Sequence, residues 1–269
     1  MGFTLVSFHA HPDDEAFYTG GTLARAAAEG HRVVVVVATD GGAGLAATAP
    51  GGVPLARRRR QELERSLAEL GCSELHLLGY DDSGLDGNSG REEASFTRTR
   101  VDVAAAQLAE LLRATSADAL TVYDAAGGYG HPDHLQVRNV GLRAAEMAGT
   151  PVVLEATVDR TSLLRVLRIA GRLRLVPQEW GPQRFAEAYT PRERITHRVD
   201  VRRWTRAKRA AMAAHTSQAT GDSGVRTLAV FLRLPFFVFR RVFGHEWFVE
   251  VGRRPSGRML DDIFASLRG

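Results

Sequence analysis

Near the start of the chain the stretch FHAHPDDEAF, residues 8–17, gathers His9, His11, Asp13, Asp14 and Glu15 around Pro12. A second stretch, YDAAGGYGHPDHLQ at 123–136, carries His131, Asp133 and His134 in the same His-Pro-Asp order. Cys72 is the sole cysteine, so any metal site must be built from imidazole and carboxylate. That donor set suits Zn2+, or another first-row divalent ion such as Fe2+, held by three protein ligands with the fourth position open to water. Two histidines and one aspartate would complete it. Adjacent aspartates in a turn cannot easily aim both carboxylates at one metal position. One therefore reads as a ligand and its neighbour as a base: the metal lowers the pKa of water towards about 7, and a carboxylate receives the proton.

Each of these residues also has a plainer role open to it. His9 alternates with His11 along a strand pattern and is expected to face away from any cleft. Glu15 falls in the first turn of a helix, where a carboxylate favours the dipole as readily as it serves catalysis. Pro12 and Pro132 suit first helical positions. Asp133 could merely cap a helix, or could hold an imidazole in one tautomer, as a metal site requires.

The elements that must position the two motifs follow from hydrophobic patterning. Leu5–Phe8 reads as a buried strand, Glu15–Glu29 as an Ala-rich helix, and the β-branched run Val33–Ala38 as a strand covered on both faces. Glycines from 41 to 52 make a loop. Next come a helix over Pro54–Leu70, a strand over Leu75–Leu78, a helix over Val101–Arg113 and a strand over Leu120–Tyr123. A helix over His134–Ala148 and a strand over Val152–Val158 complete the series. This alternation predicts an α/β fold, a Rossmann-like, doubly wound and mostly parallel sheet with strand order 3-2-1-4-5. Strands one and four are then neighbours. Both motifs follow their carboxyl ends, where the crossovers diverge and ligands bind. The rhythm fades beyond about residue 160, where Ile195–Val201 is a possible strand and Arg203–His215 a helix. A single domain over 1–269 is expected, with a sheet core over 1–160 and an irregular C-terminal elaboration over 161–269 that shapes the substrate pocket.

Composition narrows the partners. The net charge is +4, carried almost wholly by arginine, with Lys208 the one lysine. The run Arg57–Arg60 opens an amphipathic helix without interleaved aromatics, so no nucleic-acid partner is expected. The Phe- and Arg-rich tail 228–243 is too short and too charged to span a bilayer. It suits a packed or dimer-forming subregion, or a peripheral membrane contact. No signal peptide is apparent, which gives a cytoplasmic expectation. A serine-hydrolase elbow is absent, and HAHPDDE occupies the first βα turn where a dinucleotide fingerprint would belong.

The residues AHPDDE at 10–15 and GHPDH at 130–134 resemble the LmbE-like, or PIG-L-type, zinc-dependent N-deacetylases. Further matches run through Arg59, Glu62, Leu63, Leu70-Gly71 and Asp82-Ser83-Gly84 to Lys208, His215, Ser217 and Gln218. The likeness implies that His11, Asp14 and His134 bind zinc and that Asp13 is the general base. His131 would stabilise the oxyanion or act as acid, with Asp133 orienting it. Tyr129 looks like the family's mobile tyrosine near the carbonyl oxygen, and Arg59 and Asp82 match sugar-contacting positions. The implied activity is removal of an N-acetyl group from an N-acetylglucosamine-containing small molecule, with a homo-oligomer possible. Two alternatives stay open at this point: an amidase acting on a non-acetyl or thiol-conjugate amide, and a non-catalytic, metal-dependent sugar-binding protein.

Overall fold

The computed structural model describes residues 2–42, 55–84, 95–173, 181–220 and 227–268. Most of the glycine-rich loop after the second strand, with Pro54, lies outside these residues. Strand β1 (Thr4–His9) leads through a π-helical turn (Glu15–Thr19) into α1 (Gly20–Ala28) and β2 (Arg32–Thr39). Helix α2 (Leu55–Leu70), β3 (Glu74–Tyr80), α3 (Val101–Ala114), β4 (Ala119–Tyr123), α4 (Pro132–Ala148) and β5 (Val152–Thr157) follow. The strands pair in the order β3-β2-β1-β4-β5, all parallel, as the alternating pattern predicts. Val33–Thr39 of β2 is buried without interruption, because helices cover both faces of the sheet.

Two points depart from expectation. The segment read as one helix over Glu15–Glu29 is wound in two ways, π over Glu15–Thr19 and α from Gly20. Pro12 sits in the turn ahead of this winding and not at its first position, because Asp13, at φ 119°, breaks the helical path between them. The other departure concerns the C-terminal part, which extends the same sheet. After α5 (Arg160–Arg172) come β6 (His197–Asp200), α6 (Thr205–Ala214), α7 (Thr216–Thr220), α8 (Thr227–Leu232), α9 (Phe236–Phe243) and β7 (His245–Glu250). Strand β7 lies antiparallel between β5 and β6, giving seven strands in the order 3-2-1-4-5-7-6.

This extension clamps the start of α1. The buried Glu246 carboxylate on β7 accepts from Gly21 N at 2.8 Å and Thr22 N at 2.7 Å, two amides left unpaired by the helix end. It also pairs at 2.5 Å with Nζ of Lys208, which donates to the Phe17 carbonyl at 2.7 Å. The tail folds back on α6: Phe239 is fully buried, with the Arg209 guanidinium over its ring. Phe237 remains three-quarters exposed. No helix among the described residues is long and apolar enough to cross a membrane.

Candidate metal centre

Strands β1 and β4 are hydrogen-bonded neighbours, so the turns that leave them meet above their carboxyl ends. Leaving β1, the chain turns sharply and His11 swings back over the sheet. Leaving β4, it passes glycines 127, 128 and 130, all with positive φ, before α4 begins. Gly128 is required on two counts: its φ is 65°, and a Cβ there would collide with the Tyr18 hydroxyl. The loop is held from below by Asp124, which accepts from Ala126 N at 3.1 Å and Gly128 N at 2.9 Å, and by Tyr189 N donating to the Gly128 carbonyl at 2.8 Å. Pro132 takes the first turn of α4, as expected, and the cap residue is His131 and not Asp133.

The two motifs converge. Asp14 Oδ2 lies 3.2 Å from His11 Nδ1 and 3.3 Å from His134 Nε2. Ligands about 2.0–2.2 Å from a tetrahedral Zn2+ stand about 3.4 Å apart, so both separations match edges of that polyhedron. His134 is fully buried beneath Tyr123, whose ring stacks on it at 3.9 Å; among the described residues its Nδ1 has no hydrogen-bond partner and its Nε2 meets only the Asp14 carboxylate, at 3.3 Å. A buried ring nitrogen without a well-formed partner costs about 1–3 kcal/mol, and a metal on Nε2 would relieve that cost for this nitrogen. Two groupings, neither of which includes Asp14, appear among the described residues, with one donor atom from each residue lying within 4.8 Å of the others. They are His11, His131 and His134, and His11, Asp82 and Asp133. His11 is common to both.

Three carboxylates surround that imidazole. Its Nε2 is 3.1 Å from Asp133 Oδ2 and 3.5 Å from Asp82 Oδ1, while Nδ1 faces Asp14. Burial works against a charged His11, but hydrogen bonds to Asp133, Asp14 and Asp82 carry its pKa well above the ordinary value. Burial likewise opposes ionisation of Asp14, yet the neighbouring His134 and His11 hold that carboxyl well below the usual range. The lining is therefore net negative and stabilises positive charge, which fits a divalent cation.

Asp133 departs from its expected role. Its carboxylate accepts from Ser83 N at 3.0 Å and engages His11, whereas His131 is oriented by the Asp133 backbone: the amide donates to His131 Nδ1 at 3.1 Å. The reason is the helix start. His131 caps α4, so its ring folds onto the first turn's free N–H, and the Asp133 side chain points across to β1. With Nδ1 accepting, the His131 proton resides on Nε2. Burial, aided by His11 and His134, lowers the His131 pKa to about 4, so the ring is neutral near pH 7.

The adjacent aspartates separate as expected. Asp13 turns away from Asp14, and its Oδ1 lies 3.2 Å from Arg59 Nη2. Burial pushes its pKa up to about 6 against the pull of that guanidinium. Arg59 itself is buried; it also donates to the Gly41 and Pro12 carbonyls at 2.7 and 2.6 Å, so its guanidinium has internal partners. Asp82 is buried as well, accepting from Gly84 N at 2.9 Å. Tyr129 is 48% exposed at the mouth, its ring 5.2 Å from that of His134 and 6.0 Å from that of His131. His9 faces the opposite way, bonded to Ser7 Oγ at 2.8 Å and Thr19 Oγ1 at 3.2 Å. It stands outside both metal groupings.

Sequence reasoning missed the layer behind these groups. Ser83 N, Tyr18, Tyr123 and Asp124 all support the site; Ser83 stood out only as a family match, and the others only through their neighbourhood to the motifs. The chain matches the family model "PIG-L: GlcNAc-PI de-N-acetylase" over residues 6–145. It is 36% identical to the 1D-myo-inositol 2-acetamido-2-deoxy-alpha-D-glucopyranoside deacetylase of Streptomyces griseus subsp. griseus, covering 98% of this chain and 88% of that protein. Against the protein of the same name from Salinispora arenicola the identity is 34%, covering 98% and 91%. Among solved structures, the N,N'-diacetylchitobiose deacetylase of Pyrococcus horikoshii superposes with a TM-score of 0.60 at 20% identity, covering 92% of this chain and 83% of that one. A 4-carboxy-2-hydroxymuconate hydratase from Pseudomonas putida reaches 0.59 at 16% identity, covering 96% and 99%. The shared fold by itself therefore does not select a reaction.

Proposed function

The chain belongs to the PIG-L (GlcNAc-PI de-N-acetylase) family, and from that premise we propose that it is a metal-dependent amide hydrolase. Its substrate is an N-acetylglucosamine-containing small molecule, from which it releases acetate and leaves a free amine. His11 Nδ1, Asp14 Oδ2 and His134 Nε2 would hold the ion, and Zn2+ is the metal this nitrogen and oxygen set suits best. Bound there, the ion supplies Lewis acidity and acidifies water.

The remaining work falls to side chains. Asp13, ionised at neutral pH and beside the ligand set, accepts the proton of the attacking water. The neutral His131 offers Nε2–H as a hydrogen bond to the carbonyl oxygen as it gains charge, and Asp13 passes the proton it took from water to the departing nitrogen. Tyr129, half exposed at the mouth, can add a second donor to that oxygen. Asp133 and Asp82 hold His11 from behind, which keeps its Nδ1 turned to Asp14. The observation that carries this reading is the meeting of Asp14 Oδ2 with one nitrogen from each motif, while Asp13 is directed elsewhere.

The test is acetate release by metal-loaded protein, with and without chelator. The panel comprises N-acetylglucosamine glycosides with inositol, phosphate, nucleotide and hydrophobic aglycones. Release that is lost with chelator and restored by Zn2+ is expected from at least one of them. Asp13→Ala should keep the metal and lose about 10²–10⁴-fold in turnover, the usual worth of a general base. Silence across the panel by fully loaded protein would sink the acetyl-sugar reading, and full turnover by Asp13→Ala would remove the base.

A further inference from the structure

A buried carboxylate next to the candidate ligands has no part in the chemistry above. Glu15 is fully buried, and both its oxygens are occupied. Oε1 accepts from Ser66 Oγ of α2 at 2.6 Å and lies 2.7 Å from Nε2 of His215, at the junction of α6 and α7. Oε2 reaches back two residues and accepts from Asp13 N at 2.9 Å. Asp13 is the residue whose backbone stands at φ 119°, a conformation costly for any side chain bearing a Cβ. Such strain persists only where the surroundings over-determine it. Here three parts of the chain converge on one carboxylate that grips the strained amide. The strained backbone directs the Asp13 carboxylate to Arg59 and the Asp14 carboxylate to the histidines.

We propose that Glu15 is a positioning residue: braced by Ser66 and His215, its carboxylate holds the Asp13 amide and so fixes the left-handed turn that splits two adjacent aspartates between base and metal ligand. This rests on the hydrolytic reading in which Asp13 is the base. His215 is the outer brace, 200 residues away in sequence, and ties the C-terminal helices to the base loop.

The experiment combines a double-mutant cycle with a readout that needs no substrate. Glu15→Gln should bind metal stoichiometrically, leave KM within about twofold and lower kcat by about 100-fold, the usual penalty for a catalytic group displaced by about 1 Å. In an Asp13→Ala background the same change should cost nothing further, because Glu15 acts through Asp13. His215→Leu should resemble Glu15→Gln, whereas His215→Gln, which keeps an N–H near the Nε2 position, should recover most of kcat. Amide hydrogen exchange by NMR should show the Asp13 N–H losing protection in Glu15→Gln while the β1 amides keep theirs. The proposal falls if Glu15→Gln lowers the residual turnover of Asp13→Ala by the same factor as in the parent, if metal is lost, or if the Asp13 amide stays protected. Should Glu15→Gln not fold, Ser66→Ala is taken through the same readouts, with about a tenfold loss of kcat expected and additivity with Asp13→Ala as the overturning result. Full activity of Asp13→Ala would instead overturn the assignment of the base, while the exchange result would still judge the clamp.

Discussion

Breaking the buried ion pair that joins β7 to α6 and α1 should destabilise the protein asymmetrically, depending on which partner is removed. Glu246 has three donors: Lys208 Nζ at 2.5 Å, and the Gly21 and Thr22 amides at 2.8 and 2.7 Å at the positive end of α1. Lys208→Met removes one of these and leaves the carboxylate on two helix N–H groups, so the remaining charge is still compensated and the cost is about 2 kcal/mol. Glu246→Gln leaves an ammonium that is 1% exposed facing a neutral amide, its other partners among the described residues being the Phe17 carbonyl at 2.7 Å and the Phe243 ring at 5.4 Å. An uncompensated buried charge costs about 3–5 kcal/mol. At about 2–4 °C per kcal/mol, Glu246→Gln should lower the thermal midpoint by about 10 °C and Lys208→Met by about half as much. The double variant has no stranded charge and should lose less than the two singles together, by at least about 1 kcal/mol. The assay is thermal unfolding of all four proteins at one pH and salt concentration. Additive losses, or a Glu246→Gln variant more stable than Lys208→Met, would show that the pair is not coupled in the way the geometry implies.

Metal content should track the ligand assignment: His11→Ala or His134→Ala is expected to lose stoichiometric metal by elemental analysis, and full occupancy in the purified variant would refute the assigned set. Arg59 should set the acid limb of the rate profile. Its guanidinium lowers an Asp13 pKa that burial lifts to about 6, and a nearby divalent cation would lower it further. Activity needs ionised Asp13 and is lost as pH falls through that pKa, so Arg59→Met, by raising it, should move the acid limb of log kcat/KM to higher pH. An unmoved limb would mean that Arg59 and Asp13 are uncoupled in the working enzyme.

Much of this protein is legible in its sequence because the signals are local. The five consecutive valines at 33–37 read as a strand covered twice, and the alternation of strand and helix points to the crossover handedness and strand order observed. Two His-Pro-Asp turns at strand ends then fall at one crevice, whatever their separation along the chain. Resemblance supplied candidate roles for the site residues; the histidines and aspartates of the two motifs were already in view as titratable groups, whereas Tyr129, Arg59 and Asp82 entered as site residues through the resemblance alone.

Tertiary structure alone decided how those groups face one another. A motif does not state which nitrogen of His11 looks at Asp14. Nor does it state that Asp133 turns its carboxylate to His11 and only its amide to His131. Those directions depend on a single strained φ at Asp13 and on where α4 begins. Of the sheet's last two strands, β6 falls within the segment 195–201 that patterning marks as a strand, whereas β7 was hidden. Strand β7, HEWFVE, follows a Phe-rich helical tail and gains its identity by pairing with β5, some ninety residues earlier in the chain. Periodicity reports how one segment divides between core and water, and so reveals elements. Side-chain orientation and long-range partners are set by the packing of several segments at once, and in Glu15, Ser66 and His215 that packing joins residues no local pattern could connect.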